Sequence, residues 1–322
     1  MSLAVIILAA GKGTRMNSPL PKVLHVLAGE PLIIHVLETV FQLKPAKIAV
    51  VIGYKKDRVR QALSPYALEL LIQEEQLGTG HAVAITEKAF QNFNGDILVL
   101  CGDTPLLKPE TLFRLYELHR QKQAVATVLT AEFPEPRGYG RIVRDENGLL
   151  AAIVEEKDAS PEEKAIREIN SGTYLFKKDF LFKALKEIDN ENAQKEYYLT
   201  DVIGIARAKG FPVAALKTDD FEEVLGVNSQ FELARAEAIF QRRLRESFMA
   251  NGVTLVFPEQ VYLERRVKIA PGVVIHPFVS LRGETVIGTE AIIESHCDLK
   301  DVKVLPGTRV KSGTILCSTI CR

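Results

Sequence analysis

From Phe257 onward the apolar residues keep a period that neither an α-helix nor a flat sheet can use. Phe257, Leu263, Ile269, Ile275, Leu281, Ile287, Ile293, Leu299 and Leu305 fall at every sixth position. A helix repeats at 3.6 residues and a two-layer sheet at 2, so both are excluded. A second series four positions on, Val261, Val267, Val273, Val279, Thr285, Ala291 and Cys297, adds smaller residues and then fails at Lys303. Six residues suit one side of a three-sided coil whose aliphatic side chains turn to the axis, and nine hexads predict about three coils.

The repeat resembles a short left-handed parallel β-helix, placed at 253–322. The tail from Thr314 does not continue the hexads cleanly. A helix is expected just before it, over 229–252, opened by the box Ser229-x-x-Glu232 and closed by Gly252. Its apolar face of Phe231, Ala234, Ala238 and Phe248 is modest, which suits an arm linking two domains.

Residues 1–228 read differently. Strand-like runs at Lys47–Ile52, Leu68–Ile72, Ile97–Leu100 and Ala124–Leu129 alternate with helical stretches at Leu32–Leu43, Gly80–Phe90 and Pro109–Arg120. Such alternation argues a Rossmann-like α/β domain with a mainly parallel sheet. After residue 130, short strands and turns predict a lobe inserted over the open end of that sheet. The first run, Leu3–Ala10, reads as a strand buried on both faces. It feeds into Gly11-Lys-Gly-Thr-Arg-Met16 and then Pro21-Lys22. The two glycines let the backbone approach an anion, and Lys12, Arg15 and Lys22 bring three cations to one loop. A nucleoside triphosphate fits that crowding. The loop is no Walker A motif, which needs four residues between its glycines, and Met16 stands where a Rossmann fingerprint carries its third small residue.

With 41 basic and 41 acidic residues the net charge is zero, so nothing draws the whole chain to nucleic acid or to an anionic membrane. No apolar run approaches the roughly 18 to 20 residues of a membrane span, and the start lacks a signal peptide's basic region; a cytoplasmic enzyme is expected. Cys101, Cys297, Cys317 and Cys321 complete no zinc pattern and read as free thiols.

Leu8-Ala-Ala-Gly-Lys-Gly-Thr-Arg-Met16 followed by Pro21-Lys-Val-Leu24 resembles the signature of sugar-1-phosphate nucleotidyltransferases. Gln76–Ala82, Gly102-Asp103, Gly138-Tyr-Gly-Arg141, Val154-Glu155, Ile169-Asn-Ser-Gly172, Glu196–Asp201 and Gly226-Val-Asn228 follow in the order of the bacterial N-acetylglucosamine-1-phosphate uridylyltransferases. That enzyme is usually the first half of a bifunctional protein whose other half is an acetyltransferase. The resemblance implies that UTP and N-acetylglucosamine 1-phosphate react to UDP-N-acetylglucosamine and pyrophosphate. A sugar-phosphate oxygen, already ionised at neutral pH, attacks the α-phosphorus in line, so cations and a metal matter more than a general base.

By the same matching, Arg15, Lys22 and Asp103 are catalytic. Leu8, Ala9, Ala10, Gly11, Lys12, Gln73, Gly78 and Thr79 frame the nucleotide, with the Gln73 amide suited to a pyrimidine edge. Gly140, Glu155 and Asn170 hold the amino sugar, and Asp103 with Asn228 ligates Mg²⁺. Cys101 stands where relatives often carry tyrosine. His276 and His296 do not match the acetyltransferase histidine and read as solvated coil residues, so no acetyl transfer is expected. The β-helix implies a homo-oligomer, a trimer through flat faces. Two alternatives stay open: another sugar 1-phosphate such as glucose 1-phosphate, and a regulatory protein that binds nucleotide sugar without turnover.

Overall fold

The computed structural model describes residues 2–321. Its contacts divide the chain into two units, Met1–His25 with Leu32–Gln230, and Val26–Pro31 with Phe231–Arg322.

In the first unit Leu3–Ala9, which carries no charge, is a nearly fully buried strand and pairs in parallel on both sides, with Lys47–Ile52 and with Asp96–Cys101. The main sheet runs in the order Val213–Thr218, Ala126–Glu132, Glu168–Lys177, Asp96–Cys101, Leu3–Ala9, Lys47–Ile52, Glu69–Ile72. Only Glu168–Lys177 runs antiparallel to its neighbours within it. The chain leaves Leu3–Ala9 towards one edge and comes back to Asp96–Cys101 on the other side. A crevice therefore opens beyond the carboxyl ends of these two strands, where doubly wound sheets collect their ligands.

The separate lobe expected after residue 130 is smaller than the sequence suggests. Glu168–Lys177 and Val213–Thr218 rejoin the main sheet, and the addition is the hairpin of Arg141–Arg144 with Leu150–Val154, attached where Ile169 pairs with Arg141. The helix expected over Gly80–Phe90 divides into Thr79–Ala84 and a 3-10 turn at Glu87–Phe90. Between them the buried Thr86 turns its hydroxyl back to Val83 O at 2.7 Å, which tightens the chain. Pro109 and Glu110 open the helix Pro109–Gln121, where a missing N–H costs nothing.

The second unit holds the helix Gln230–Ala250 from Phe231 onward, a short hairpin of Val26–Leu27 with Glu30–Pro31, and a left-handed parallel β-helix of three sheets, each of four strands. Four rungs thus replace the three coils counted from sequence. The helix ends in paired bonds from Gly252 N to Met249 O and from Val253 N to Phe248 O, with Gly252 at φ +86°. Its buried stripe is Ala236, Ile239 and Gln241, with Leu244 and Phe248 packed on the coil core. The predicted face is corrected accordingly: Phe231 is 90% exposed, and Ala234 and Ala238 also face solvent.

Both ends of the hexad series shift. Phe257 is exposed at a corner with φ +66°, and Leu255 holds the inner position instead. At the other end Val304, not Leu305, is buried. The cause is one residue fewer in the side that follows Leu299: Val261 stacks on Val279 and Ser280 on Asp298, but Val286 stacks on Lys303. Asp301, at φ +55°, turns the corner early, and Val302 continues the second series that a strict count of six breaks at Lys303. The tail then falls into register as Ile315–Cys317 and Ile320–Cys321. All four cysteines are free. Among the described residues no helix is long and apolar enough to cross a membrane.

Candidate active site

Two loops meet beyond the crevice. Gly102 N donates to Leu8 O at 2.9 Å, which fixes the loop after Asp96–Cys101 against the loop after Leu3–Ala9. Gly13 takes φ +63°, and a Cβ there would lie 2.7 Å from Lys22 Cβ, so only glycine lets the lysine stem cross the loop. Lys22 itself is held by a 3-10 turn, Lys22–Leu24, that follows Pro21. Its ammonium donates to Asp103 Oδ2 and, at 2.9 Å, to Asn228 Oδ1. The Asn228 loop is tied in turn to Asp103 by a backbone bond from Val227 N to Asp103 O at 2.9 Å. Residues 22, 103 and 228 thus converge on one point although sequence separates them widely.

Two cavities adjoin that point. One, of about 390 Å³, is lined by Leu8, Ala9, Ala10, Gly11 and Lys12 together with Lys22, Gln73, Gly78, Thr79 and Asp103. The other, of about 190 Å³, is lined by Gly140, Glu155, Asn170, Asp103 and Asn228, with Tyr139 and Tyr174 among its walls. Leu8, Thr79, Cys101 and Asp103 belong to both. Of the residues expected at the site, Arg15 lies outside both linings; it is exposed on the 3-10 turn Thr14–Met16 and reaches towards Gly138, where a Cβ would lie 3.7 Å from its Nη1. Lys12 is also exposed, with its ammonium 5.9 Å from the Tyr54 ring centre.

The wider cavity has a rigid wall. Gly80 N donates to Tyr197 O and Tyr197 N to Leu77 O, both at 2.8 Å, and the Thr79 hydroxyl accepts from Leu199 N at 3.1 Å. Gln73 is buried, and its amide nitrogen donates to Gly78 O at 3.1 Å and meets His81 Nδ1 at 3.0 Å. With Nδ1 of His81 as the acceptor nitrogen of its ring, both amide hydrogens are engaged within the protein. The expectation that Gln73 offers a pyrimidine a donor as well as an acceptor narrows to its carbonyl oxygen.

In the narrower cavity, burial pushes the Glu155 carboxyl above the usual carboxylate range, although the Thr200 hydroxyl donates to it at 3.4 Å. Asn170 donates to the Tyr174 hydroxyl at 2.6 Å and accepts from Gly172 N at 3.1 Å, so much of its amide is also engaged internally. Burial pushes the Cys101 thiol up to about 12, which leaves a neutral wall between the cavities. Sequence reading passed over Tyr139, Tyr174, Thr200 and His81 as individual residues. Tyr139 lies inside the Gly138–Arg141 motif, and its hydroxyl accepts from Gly226 N at 3.2 Å, next to Asn228. Among the described residues no group of three or more His, Cys, Asp or Glu gathers as a metal cluster. An oxygen pair is what this site offers.

Residues 4–237 match the model of a family described as nucleotidyl transferase. The chain belongs to that family. It is similar to the bifunctional protein GlmU of Halalkalibacterium halodurans, 48% identical over 310 residues that take in 96% of this chain and 68% of the relative. It is likewise similar to GlmU of Syntrophotalea carbinolica, 46% identical over 98% of this chain and 68% of the relative, and to GlmU of Alkaliphilus oremlandii, 47% identical over 99% and 70%. As a nucleotidyl transferase the chain carries its glycine loop, Lys22 and Asp103 at the switch point of the sheet, all within the matched residues.

Proposed function

We propose that the chain is a sugar-1-phosphate nucleotidyltransferase that joins UTP to N-acetylglucosamine 1-phosphate and releases pyrophosphate. The observation that carries this reading is the meeting of two cavities at Asp103, with Lys22 and Asn228 at the junction. The wider cavity takes the nucleotide, the narrower one takes the sugar, and the junction takes the phosphates. An ionised oxygen of the sugar phosphate forms the new bond to the α-phosphorus as the bond to the β-phosphate oxygen breaks, and pyrophosphate departs with that electron pair. Lys12, Arg15 and Lys22 offset the phosphate charge and hold the two reactants in line.

Asp103 Oδ2 and Asn228 Oδ1 already share one cation, the Lys22 ammonium, so the donor pair suits Mg²⁺, which favours one or two protein oxygens beside water and phosphate. When bound there, Mg²⁺ supplies charge neutralisation at the phosphate oxygens. Gln73, presenting its carbonyl oxygen, fits the N3–H of uracil and not the unprotonated N3 of cytosine. Glu155 and Asn170 face the sugar. The same reading takes the β-helix as an oligomerisation module forming a trimer through its flat faces. The proposed activity is nucleotidyl transfer without acetyl transfer.

The test is pyrophosphate release from UTP with Mg²⁺ on N-acetylglucosamine 1-phosphate, glucose 1-phosphate and glucosamine 1-phosphate at equal concentration, with CTP as the alternative nucleotide. The acetylated sugar with UTP is expected to lead. A preference for glucose 1-phosphate would replace the sugar assignment, and no release from any pair would leave a nucleotide-sugar binder.

A further inference from the structure

We infer that Lys22 is a resident counter-ion that occupies the divalent-metal seat of the substrate-free protein, and that a nucleoside triphosphate frees the seat by drawing the ammonium to its own phosphates. The inference rests on the metal role proposed above for Asp103 and Asn228. The lysine and aspartate side chains are 19% and 12% exposed, so the pair is poorly solvated and its partners attract strongly. An ammonium hydrogen-bonded to both oxygens and a Mg²⁺ ligated by the same oxygens cannot coexist: they need the same volume, and two cations at that spacing repel. One of them must leave, and the one with a flexible four-carbon stem is Lys22.

The stem has a track to move along. Its backbone is fixed by the bond from Leu24 N to Pro21 O at 2.9 Å, while its Cβ, Cγ and Cδ run over the bare face of Gly13. Gly11 to Thr14 line the wider cavity with Lys22, so a small swing carries the ammonium from Asp103 towards the place of the phosphates. An unpaired Asp103 would be a costly neighbour to a triphosphate. Exchange of ammonium for metal keeps the carboxylate paired before and after nucleotide entry. Metal and nucleotide then bind with positive coupling, each favouring the state in which Lys22 has left the seat.

The experiment measures Mn²⁺ binding by electron paramagnetic resonance on the full chain without substrates. Lys22→Met and Lys22→Gln, each first checked for a native melting transition, are expected to tighten Mn²⁺ by about 10- to 100-fold, the range of a lost charge-assisted hydrogen-bonded competitor. Lys12→Ala removes the same charge from an exposed position and is expected to change affinity less than about threefold, since an exposed charge is screened. A non-transferable α,β-methylene analogue of UTP is expected to tighten Mn²⁺ by a larger factor in the wild type than in Lys22→Met. Equal Mn²⁺ affinity in wild type and both Lys22 variants, or equal tightening by the analogue, would overturn the counter-ion role and leave the metal seat standing. An effect of Lys12→Ala as large as that of Lys22→Met would reduce the result to general electrostatics and overturn it too. No Mn²⁺ binding in any form would remove the seat itself.

Discussion

Asp201 opens the helix Asp201–Ala208 among other acids. Burial, and then the Asp189 and Asp158 carboxylates, push its carboxyl up to about 6. A proton therefore binds the folded chain more readily than the unfolded one. The stability this group contributes is complete below about pH 4 and lost as pH rises through about 6. Asp201→Asn keeps the position neutral at every pH, so Tm should rise above wild type at pH 7.5 and show little gain at pH 4. A gain that is the same at both pH values would show that ionisation is not its cause. Nothing in the local sequence signals this shift, because it arises from residues 158, 189 and 201 brought together by folding. The same holds for Thr200 on Glu155 and for Tyr174 on Asn170. The placement of Gly13, Lys22 and Asp103 together beyond two neighbouring strands was legible by contrast, since a glycine loop crowded with cations and an aspartate just after a buried strand are both read within a few residues.

The helix Gln230–Ala250 was legible in extent and not in orientation. Its stripe contains the polar Gln241, 6% exposed, which an apolar-face reading passes over. That side chain accepts from Leu263 N at 3.0 Å and donates to Leu263 O at 2.6 Å, replacing the neighbour that a strand would otherwise supply. Gln241→Leu keeps the volume and orphans both backbone groups, at about 1 to 3 kcal/mol each. An urea titration should show the C-terminal unit destabilised by roughly 3 kcal/mol; a change under about 0.5 kcal/mol, the usual effect of a surface substitution, would show the pair to be dispensable. The coils give the complementary lesson. A period of six found the architecture but counted through the missing residue near Asp301, where the buried Thr285 adapts the ladder by accepting from Val302 N at 3.2 Å and donating to Arg282 O at 2.6 Å. A strict repeat in sequence cannot show a step that structure absorbs with one hydroxyl.

At the scale of the molecule, the hairpin at 26–31 belongs with residues more than 200 positions away. Ala28 N donates to Glu237 at 2.8 Å, Arg265 N donates to Ala28 O at 2.9 Å, and Glu30 pairs with Arg266. No pattern around Val26 announces this, since the pairing is set by the distant end of the chain. Gly29 lies at φ +85°, and a Cβ there would come 2.7 Å from the Glu264 carboxylate. Gly29→Val, strained in backbone and in contact, should destabilise the unit by about 2 kcal/mol or more in the same titration, with Gly29→Ala in between. Equal stability in all three would show the hairpin to be a passive passenger. The hairpin also sets an order of events during biosynthesis. Its six residues leave the ribosome early, yet Glu237, Glu264 and Arg265 follow only after the whole nucleotidyl transferase fold has been made, a wait on the order of ten to fifty seconds at bacterial elongation rates. Throughout that wait residues 26–31 are without their final partners, so a nascent chain can complete the sheet of the first unit before this hairpin has anything to pair with.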